Sequence, residues 1–297
     1  MKQILPFLGE IQPQDIIELD LDAETIREWL EEPIESLAGI DLFSELEKLS
    51  AQNHLIRDVS GIGSLKKLRN LNLSFNQIAD ISQLNSVTEL QRLYLSHNEI
   101  SDFMPICNEK KLTELSISEN PGNEFTFLAK LTELNILFAK NFRYSTLKPL
   151  SELSKLKKLH LTLYQTNVLK EISHLHLQEL HLHLRQQKNL AHFPAFPALE
   201  KCVLSNGIHL QSLDGFPELP TLKTMILIGN SIETLDFVDQ LPSVEQLVIR
   251  GNPVQLSAEK QFPQVKYLEL THCAIDPAKL SDIQKIFPNA TEIKLRN

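Results

Sequence analysis

Three consecutive segments decide the fold: LRNLNLSFNQI (residues 68–78), LQRLYLSHNEI (90–100) and LTELSISENPG (112–122). They start 22 residues apart and carry the same residue types at the same positions, which indicates an internal repeat. Continuing this spacing along the chain predicts twelve repeats. The repeats begin at Leu46, Leu68, Leu90, Leu112, Leu134, Leu156, Leu177, Leu199, Leu222, Val244, Val265 and Ala290.

Each repeat carries two hydrophobic patterns in succession. When the first residue of a repeat is counted as zero, apolar residues stand at offsets three and five, as in Leu71 and Leu73. Alternation with period two predicts a short strand with one buried face. Apolar residues then return at helix-like spacing from Ile78 to Val87, which predicts a helical or 3₁₀ turn on the opposite side.

Polar residues mark the two bends of the repeat. Aspartates precede the return segment, where a carboxylate can accept hydrogen bonds from free backbone N–H groups; they are Asp58, Asp80 and Asp102. Asparagines recur at offset eight, where their donors and acceptor can satisfy buried backbone groups of the bend; they are Asn76, Asn98, Asn120, Asn230 and Asn252. Repeats five to eight lose this column and have Phe142, Tyr164, Arg185 and Gly207 at or near its position.

With these motifs, residues 46–297 resemble leucine-rich repeat proteins, in particular the 22-residue variety of internalins and of the regulatory subunit of protein phosphatase 1. The resemblance implies an α/β fold. It implies a right-handed solenoid with one curved parallel sheet on the concave face and short helices or 3₁₀ turns on the convex face. The cysteine-bearing caps common to secreted members are missing, which favours the intracellular members.

The segment before the regular repeats is expected to act as a cap. Residues 1–45 should cover the open apolar end of the repeats, because a terminal repeat lacks a neighbour on one side. Within it, IIELDLD predicts one irregular strand and AETIREWLEE predicts a helix that stops at Pro33. Residues 46–297 then form the repeat domain, which ends in a helical return through Ile283 and a last strand through Ile293.

Composition excludes several classes of function. The net charge of −9, from 29 basic and 38 acidic residues, repels a phosphate backbone, so no nucleic-acid partner is expected. No apolar run approaches the roughly 20 residues that cross a bilayer, and the N-terminal MKQILPFLGE does not read as a signal peptide. The three cysteines, Cys107, Cys202 and Cys273, form no CxxC pair, which favours a reducing, cytoplasmic compartment.

The residues at offsets two, four and six should face outward from the concave sheet and form the binding surface. Val203, Ile226 and Val248 share offset four on three successive strands, with Ile228 beside them. An exposed apolar stripe of this kind is typical of a contact site, although β-branched residues also simply favour strands. Arg250, Tyr94 and Tyr267 are outward residues of types that often anchor interfaces.

Histidines form the second candidate site, in the segment HLHLQELHLHLR. His160 and His181 occupy offset four on adjacent strands, and His183 follows on the same face. Three imidazoles at strand spacing could converge on Zn²⁺, or could form a partner surface that gains charge near pH ~6.5.

No catalytic constellation is present in the sequence, so an enzyme is not expected and no cofactor is assigned. We expect a non-catalytic scaffold that recognises a partner protein through the concave sheet. An inhibitor or immunity-type protein that occludes a toxin or an enzyme is an alternative, favoured by the acidic balance of the chain. A zinc site on His160, His181 and His183 is a second alternative of a different class.

Overall fold

The computed structural model describes residues 10–28, 30, 32–235, 237, 241–255, 261–273, 275 and 280–296. Residues 1–9, for which no signal peptide is predicted, therefore lie outside the described residues. The chain divides into two compact units, Met1–Leu156 and Lys157–Asn297.

The first unit contains six parallel strands that pair in chain order, each with the next. The strands are β1 Glu18–Asp20, β2 Lys48–Ser50, β3 Asn70–Asn72, β4 Arg92–Tyr94, β5 Glu114–Ser116 and β6 Ile136–Ala139. β1 belongs to the irregular segment before the repeats, and it aligns directly with β2, so that Leu19 pairs with Leu49.

The second unit contains seven parallel strands, again paired in chain order. They are β7 Lys158–Leu163, β8 Glu179–Leu184, β9 Lys201–Ser205, β10 Thr224–Ile228, β11 Gln246–Arg250, β12 Tyr267–Thr271 and β13 Glu292–Arg296. Every predicted repeat thus supplies one strand, which starts at offset two. β7 and β8 have six residues each and are longer than the strands of the first unit.

The predicted return turns are mostly 3₁₀ helices. The backbone N–H two residues after Asp58, Asp80 and Asp102 donates to each carboxylate at 2.8 Å, as the sequence predicts. The 3₁₀ helices are Pro13–Asp15, Ile40–Leu42, Ile62–Ser64, Ser82–Ser86, Met104–Ile106, Thr126–Lys130, Lys148–Glu152 and Thr166–Ile172.

Two α-helices belong to the segments outside the regular turns. α1 spans only Ala23–Ile26, so the prediction of a helix through AETIREWLEE is wrong in its length; Trp29 and Glu31 lie outside the described residues. Ile26 is the buried residue of α1, so this single helical turn contributes one side chain to the apolar core. The predicted C-terminal helix is α2, Leu280–Ile286, and the last predicted strand is β13.

A ladder of buried asparagines connects each repeat to its neighbours. Asn98 donates to the carbonyl oxygens of Leu73 at 2.9 Å and Leu95 at 3.0 Å, and it accepts a hydrogen bond from the N–H of Ile78 at 3.0 Å. Asn76, Asn120, Asn230 and Asn252 make equivalent bonds. The asparagine column therefore has the role that the sequence predicts.

Other residues replace asparagine where the column is interrupted or begins. His54 accepts from the N–H of Ile34 at 3.2 Å and bonds the carbonyl oxygen of Leu21 at 2.6 Å. Gln187 donates to the carbonyl oxygen of Leu163 at 3.1 Å. Repeat five instead fills the position with Phe142, which stacks on Phe125 and packs edge-on against Phe103.

We expect Asn98→Ala to destabilise the protein by roughly 1–3 kcal/mol, because it leaves the buried N–H of Ile78 without its partner and removes one of the two side-chain hydrogen bonds to the Leu73 carbonyl. Chemical unfolding monitored by circular dichroism measures the change. Asn85→Ala, at an exposed position one turn away, is the matched control and should shift the unfolding midpoint little. Equal midpoints for the two variants would contradict the ladder's role.

One carboxylate interrupts the apolar core of the return turns. Glu109 occupies offset 19, where neighbouring repeats have Leu65, Val87, Leu131 and Leu153. Its side chain is fully buried, and its two carboxylate oxygens have no hydrogen-bond partner in the part of the chain that the structure describes. Burial raises the pKa of Glu109 from 4.5 to about 7, because the charged form loses its hydration.

This pKa makes the protein less stable as pH rises. The folded state holds the Glu109 proton more tightly than the unfolded chain, so the contribution of Glu109 to stability falls from about pH 4.5 to pH 7 and is then constant. Glu109→Leu should remove this slope and raise the free energy of unfolding at neutral pH by on the order of 3 kcal/mol. Unfolding titrations across this pH range test the effect, and exposed Glu99→Leu, which should leave the slope intact, is the control. Burial lowers the pKa of His160 and His181, which contributes a slope of the opposite sign, so the test is the difference between Glu109→Leu and wild type. A difference that does not grow between pH 4.5 and pH 7 would refute the assignment.

Among the described residues, no helix has the length and apolar character needed to span a membrane.

Candidate partner-binding surface

The outward residues of β7–β13 form three rows across one face of their sheet, which we call the open face of the second unit. Pairing in direct register places offset two beside offset two, and likewise for offsets four and six. The offset-two row is Lys158, Glu179, Lys201, Thr224, Gln246, Tyr267 and Glu292. The offset-four row is His160, His181, Val203, Ile226, Val248, Glu269 and Lys294, and the offset-six row is Thr162, His183, Ser205, Ile228, Arg250, Thr271 and Arg296.

The apolar stripe lies at the centre of this face. Val203 pairs with Ile226, and Ile226 pairs with Val248, so the three side chains are contiguous. Both valines are nevertheless only 7% exposed, because side chains of the neighbouring strands stand on either side of them. The expectation of a uniformly exposed stripe is therefore wrong: Ile226 and Ile228 are half-buried and supply the accessible apolar surface.

A buried carboxylate lies on one side of the stripe. Glu269, 8% exposed, accepts hydrogen bonds from Nε and Nη2 of Arg250 at 2.5 and 3.1 Å and from the hydroxyl of Tyr267 at 3.0 Å. These donors, the guanidinium of Arg250 above all, lower the pKa of Glu269 to about 2 although burial opposes them. Arg250 and Tyr267 are thus held in fixed orientations on the open face.

We expect Glu269→Gln to destabilise the protein at neutral pH by about 1–3 kcal/mol, through loss of its charge-assisted hydrogen bonds. Because the folded pKa lies below the unfolded value of 4.5, the wild-type stabilisation is complete above that value and is lost as pH falls toward about 2. The difference between variant and wild type in urea unfolding should therefore shrink in acid. Glu292→Gln removes an exposed carboxylate of the same face and should have little effect. A difference that grows in acid would count against this account.

The predicted histidine site is only partly assembled. The rings of His160 and His181 stack with centroids 3.8 Å apart and planes 14° apart. Nδ1 of His183 instead lies 3.2 Å from Nδ2 of Asn206. The third candidate ligand is Glu179: one ligand atom each of His160, Glu179 and His181 lies within 4.8 Å of the others. The proposed three-histidine ligand set is therefore corrected to two histidines and one glutamate.

Glu179 anchors this second cluster. Its carboxylate contacts Nε2 of His181 at 2.7 Å and Nζ of Lys201 and Lys158 at 2.8 and 3.2 Å. Burial alone would raise the pKa of Glu179, but the hydrogen bonds from these three side chains outweigh it and lower the pKa to about 2. Burial lowers the pKa of His160 to about 3, helped by the adjacent His181, and burial also lowers the pKa of His181. Both imidazoles are neutral at physiological pH.

Sequence reasoning missed both glutamates, although a signal for them exists. Glu179 stands at offset two beside His181 at offset four, and Glu269 stands at offset four beside Arg250 on the preceding strand. If the strand register had been applied to charged residues as well as to apolar residues and histidines, it would have placed Glu179 with His181 and Glu269 with Arg250. The open face of the second unit carries five Lys or Arg and three Glu side chains in its three rows, a charge of +2 with neutral imidazoles.

The corresponding face of the first unit is mainly polar. It contains Tyr94, which is half-buried; burial and a hydrogen bond to Glu114 raise the pKa of its hydroxyl to about 12. Tyr94 also lines an open groove of about 420 Å³, whose wall includes Asp20, Lys48 and Arg92. Tyr94 belongs to the first unit, whereas the other predicted site residues belong to the second unit.

The short strands β2–β13 start 21 to 25 residues apart, which defines a stacked-repeat, or solenoid, protein. A family model described as leucine-rich repeats, in two copies, matches residues 44–86. Residues 44–86 therefore contain leucine-rich repeats. No curated protein matches it significantly.

Two solved structures of bacterial proteins have the same fold. An internalin of Listeria monocytogenes, InlF, is similar with a TM-score of 0.63 and 20% identity, over 100% of this chain and 94% of that chain. A leucine-rich repeat protein of Leptospira interrogans is similar with a TM-score of 0.50 and 18% identity, over 88% of this chain and 81% of that chain. At these identities the likeness shows the fold alone.

Proposed function

We propose that this protein is a non-catalytic scaffold that binds a partner protein through the open face of the second unit. The observation that carries the proposal is the composition of this face. An apolar centre with Ile226 and Ile228 half-exposed lies between two sets of charged side chains that are anchored by Glu179 and Glu269. An apolar centre with a polar rim is the usual anatomy of a protein interface.

The anchored rim favours binding because its side chains are already ordered. Arg250 is held by the buried Glu269, and Lys201 is held by the half-buried Glu179, before any partner arrives. Docking then costs less conformational entropy than it would for free long side chains, which lose about 0.5–1.5 kcal/mol each when immobilised.

Charge indicates the kind of partner. The whole chain has a net charge of −9, but the three rows of this face carry +2. We therefore propose a partner surface with an apolar protrusion and an acidic surround. This local charge weakens the argument for the inhibitor or immunity role, which rested on the acidic balance of the whole chain.

The test compares captured proteins for wild type and the double variant Ile226→Asp/Ile228→Asp. Each isoleucine that becomes fully covered contributes up to about 1.5–3 kcal/mol, so the variant should weaken the specific partner's affinity by at least about tenfold. Immobilised protein, quantitative mass spectrometry of the captured set and then titration of the purified partner measure this loss.

The matched control is Leu42→Asp, which makes the same chemical change at a 49% exposed residue of a 3₁₀ turn in the first unit. It should retain the partner. Circular dichroism must show that both variants are folded. If the double variant captures the same partner at undiminished affinity, the open face of the second unit is not the binding surface.

The cytoplasmic location is also a proposal. Cys107, Cys202 and Cys273 are all buried free thiols, and such thiols fit a reducing compartment.

A further inference from the structure

We propose that His160, Glu179 and His181 form a binding site for one transition-metal ion of the zinc type on the open face of the second unit. The site does not depend on the partner-binding proposal. It rests on the convergence of three potential ligand atoms, which lie within 4.8 Å of one another on two adjacent strands.

The backbone fixes the three positions. His160 on β7 pairs directly with His181 on β8, and Glu179 lies two residues before His181 on the same face. The stacked rings, with centroids 3.8 Å apart, leave the imidazoles little freedom to turn away from each other. All three side chains are half-buried, so the ligands are ordered and still accessible to an ion from solvent.

The distances allow coordination after a small adjustment. Nε2 of His181 and Oε1 of Glu179 are 2.7 Å apart. Two ligand atoms of a tetrahedral zinc ion with bonds of ~2.0 Å lie about 3.3 Å apart, so this pair needs to open by about half an ångström. The pairs that involve His160 lie within 4.8 Å and need to close by at most about 1.5 Å. Changes of this size are within reach of side-chain rotation.

The ligand types select the metal. Two neutral imidazoles and one carboxylate suit Zn²⁺, Co²⁺ or Ni²⁺, whereas Mg²⁺ and Ca²⁺ prefer oxygen ligands alone. Three protein ligands leave one coordination position for water. Lys158 and Lys201 hydrogen-bond the Glu179 carboxylate and orient it, as outer partners of metal ligands commonly do, but their charges also repel the ion. We therefore expect affinity in the micromolar range.

Isothermal titration of the full chain with ZnCl₂ near pH ~7.5, where imidazole ligands are deprotonated, tests the proposal. Wild type should bind one ion per chain, and Co²⁺ should give the visible absorption of a tetrahedral site. His160→Ala and His181→Ala should each weaken Zn²⁺ binding by more than about tenfold, because even outer partners of ligands are worth 10- to 100-fold in affinity. Glu179→Gln should weaken it as well.

His183→Ala is the matched control, since it removes an imidazole from the same strand and the same face but outside the cluster. It should retain wild-type affinity. Circular dichroism checks that each variant is folded. If Glu179→Gln does not fold, the two histidine variants still test the proposal. Absence of Zn²⁺ binding by folded wild type, or an equal loss in His183→Ala and His181→Ala, would overturn the proposal.

Discussion

The structure depends on how each strand turns into its loop without leaving buried backbone groups unpaired. At this bend, an asparagine such as Asn98 bonds its own repeat and the preceding one together. Since an unsatisfied buried polar group costs about 1–3 kcal/mol, the ladder selects one stacking distance and one register. Direct register is in turn what aligns outward side chains in rows, so the candidate surface is a consequence of the ladder.

Other polar side chains can take the place of asparagine at the bend, and repeat five has the aromatic Phe142 there instead. His54 supplies an acceptor and a contact to a carbonyl oxygen, and the thiol of Cys273 lies 3.3 Å from the carbonyl oxygens of Ile249 and Thr271. Repeat positions therefore predicted the strands of all twelve repeats, but the asparagine pattern alone missed these substitutes. Gln187 was missed for another reason: the longer strand β8 moves the bend two residues further along the chain.

The candidate site was less predictable than the fold because burial on the open face depends on neighbours in three strands. The positions of Val203 and Ile226 in their repeats correctly predicted that they lie side by side. The 7% exposure of Val203, however, is determined by the side chains of the strands on either side of it. For the histidines, the sequence placed His160 beside His181 and also suggested His183. The structure replaces His183 with Glu179, since residues two apart on one strand share a face in either direction.

Charge gives a further example of local structure overriding composition. A chain with a net charge of −9 would be expected to attract basic partners, but charges that lie farther than about a Debye length, ~8–10 Å, from a contact are largely screened there. Within contact distance, the relevant charges are those of the surface itself, and on the open face of the second unit they sum to +2. Glu179 and Glu269 contribute less attraction for a cation than free carboxylates would, because Lys201 and Arg250 already neutralise them. An ion that competes for Glu179 must therefore gain its binding energy mainly from the two imidazoles, which favours a nitrogen-preferring metal over a purely electrostatic one.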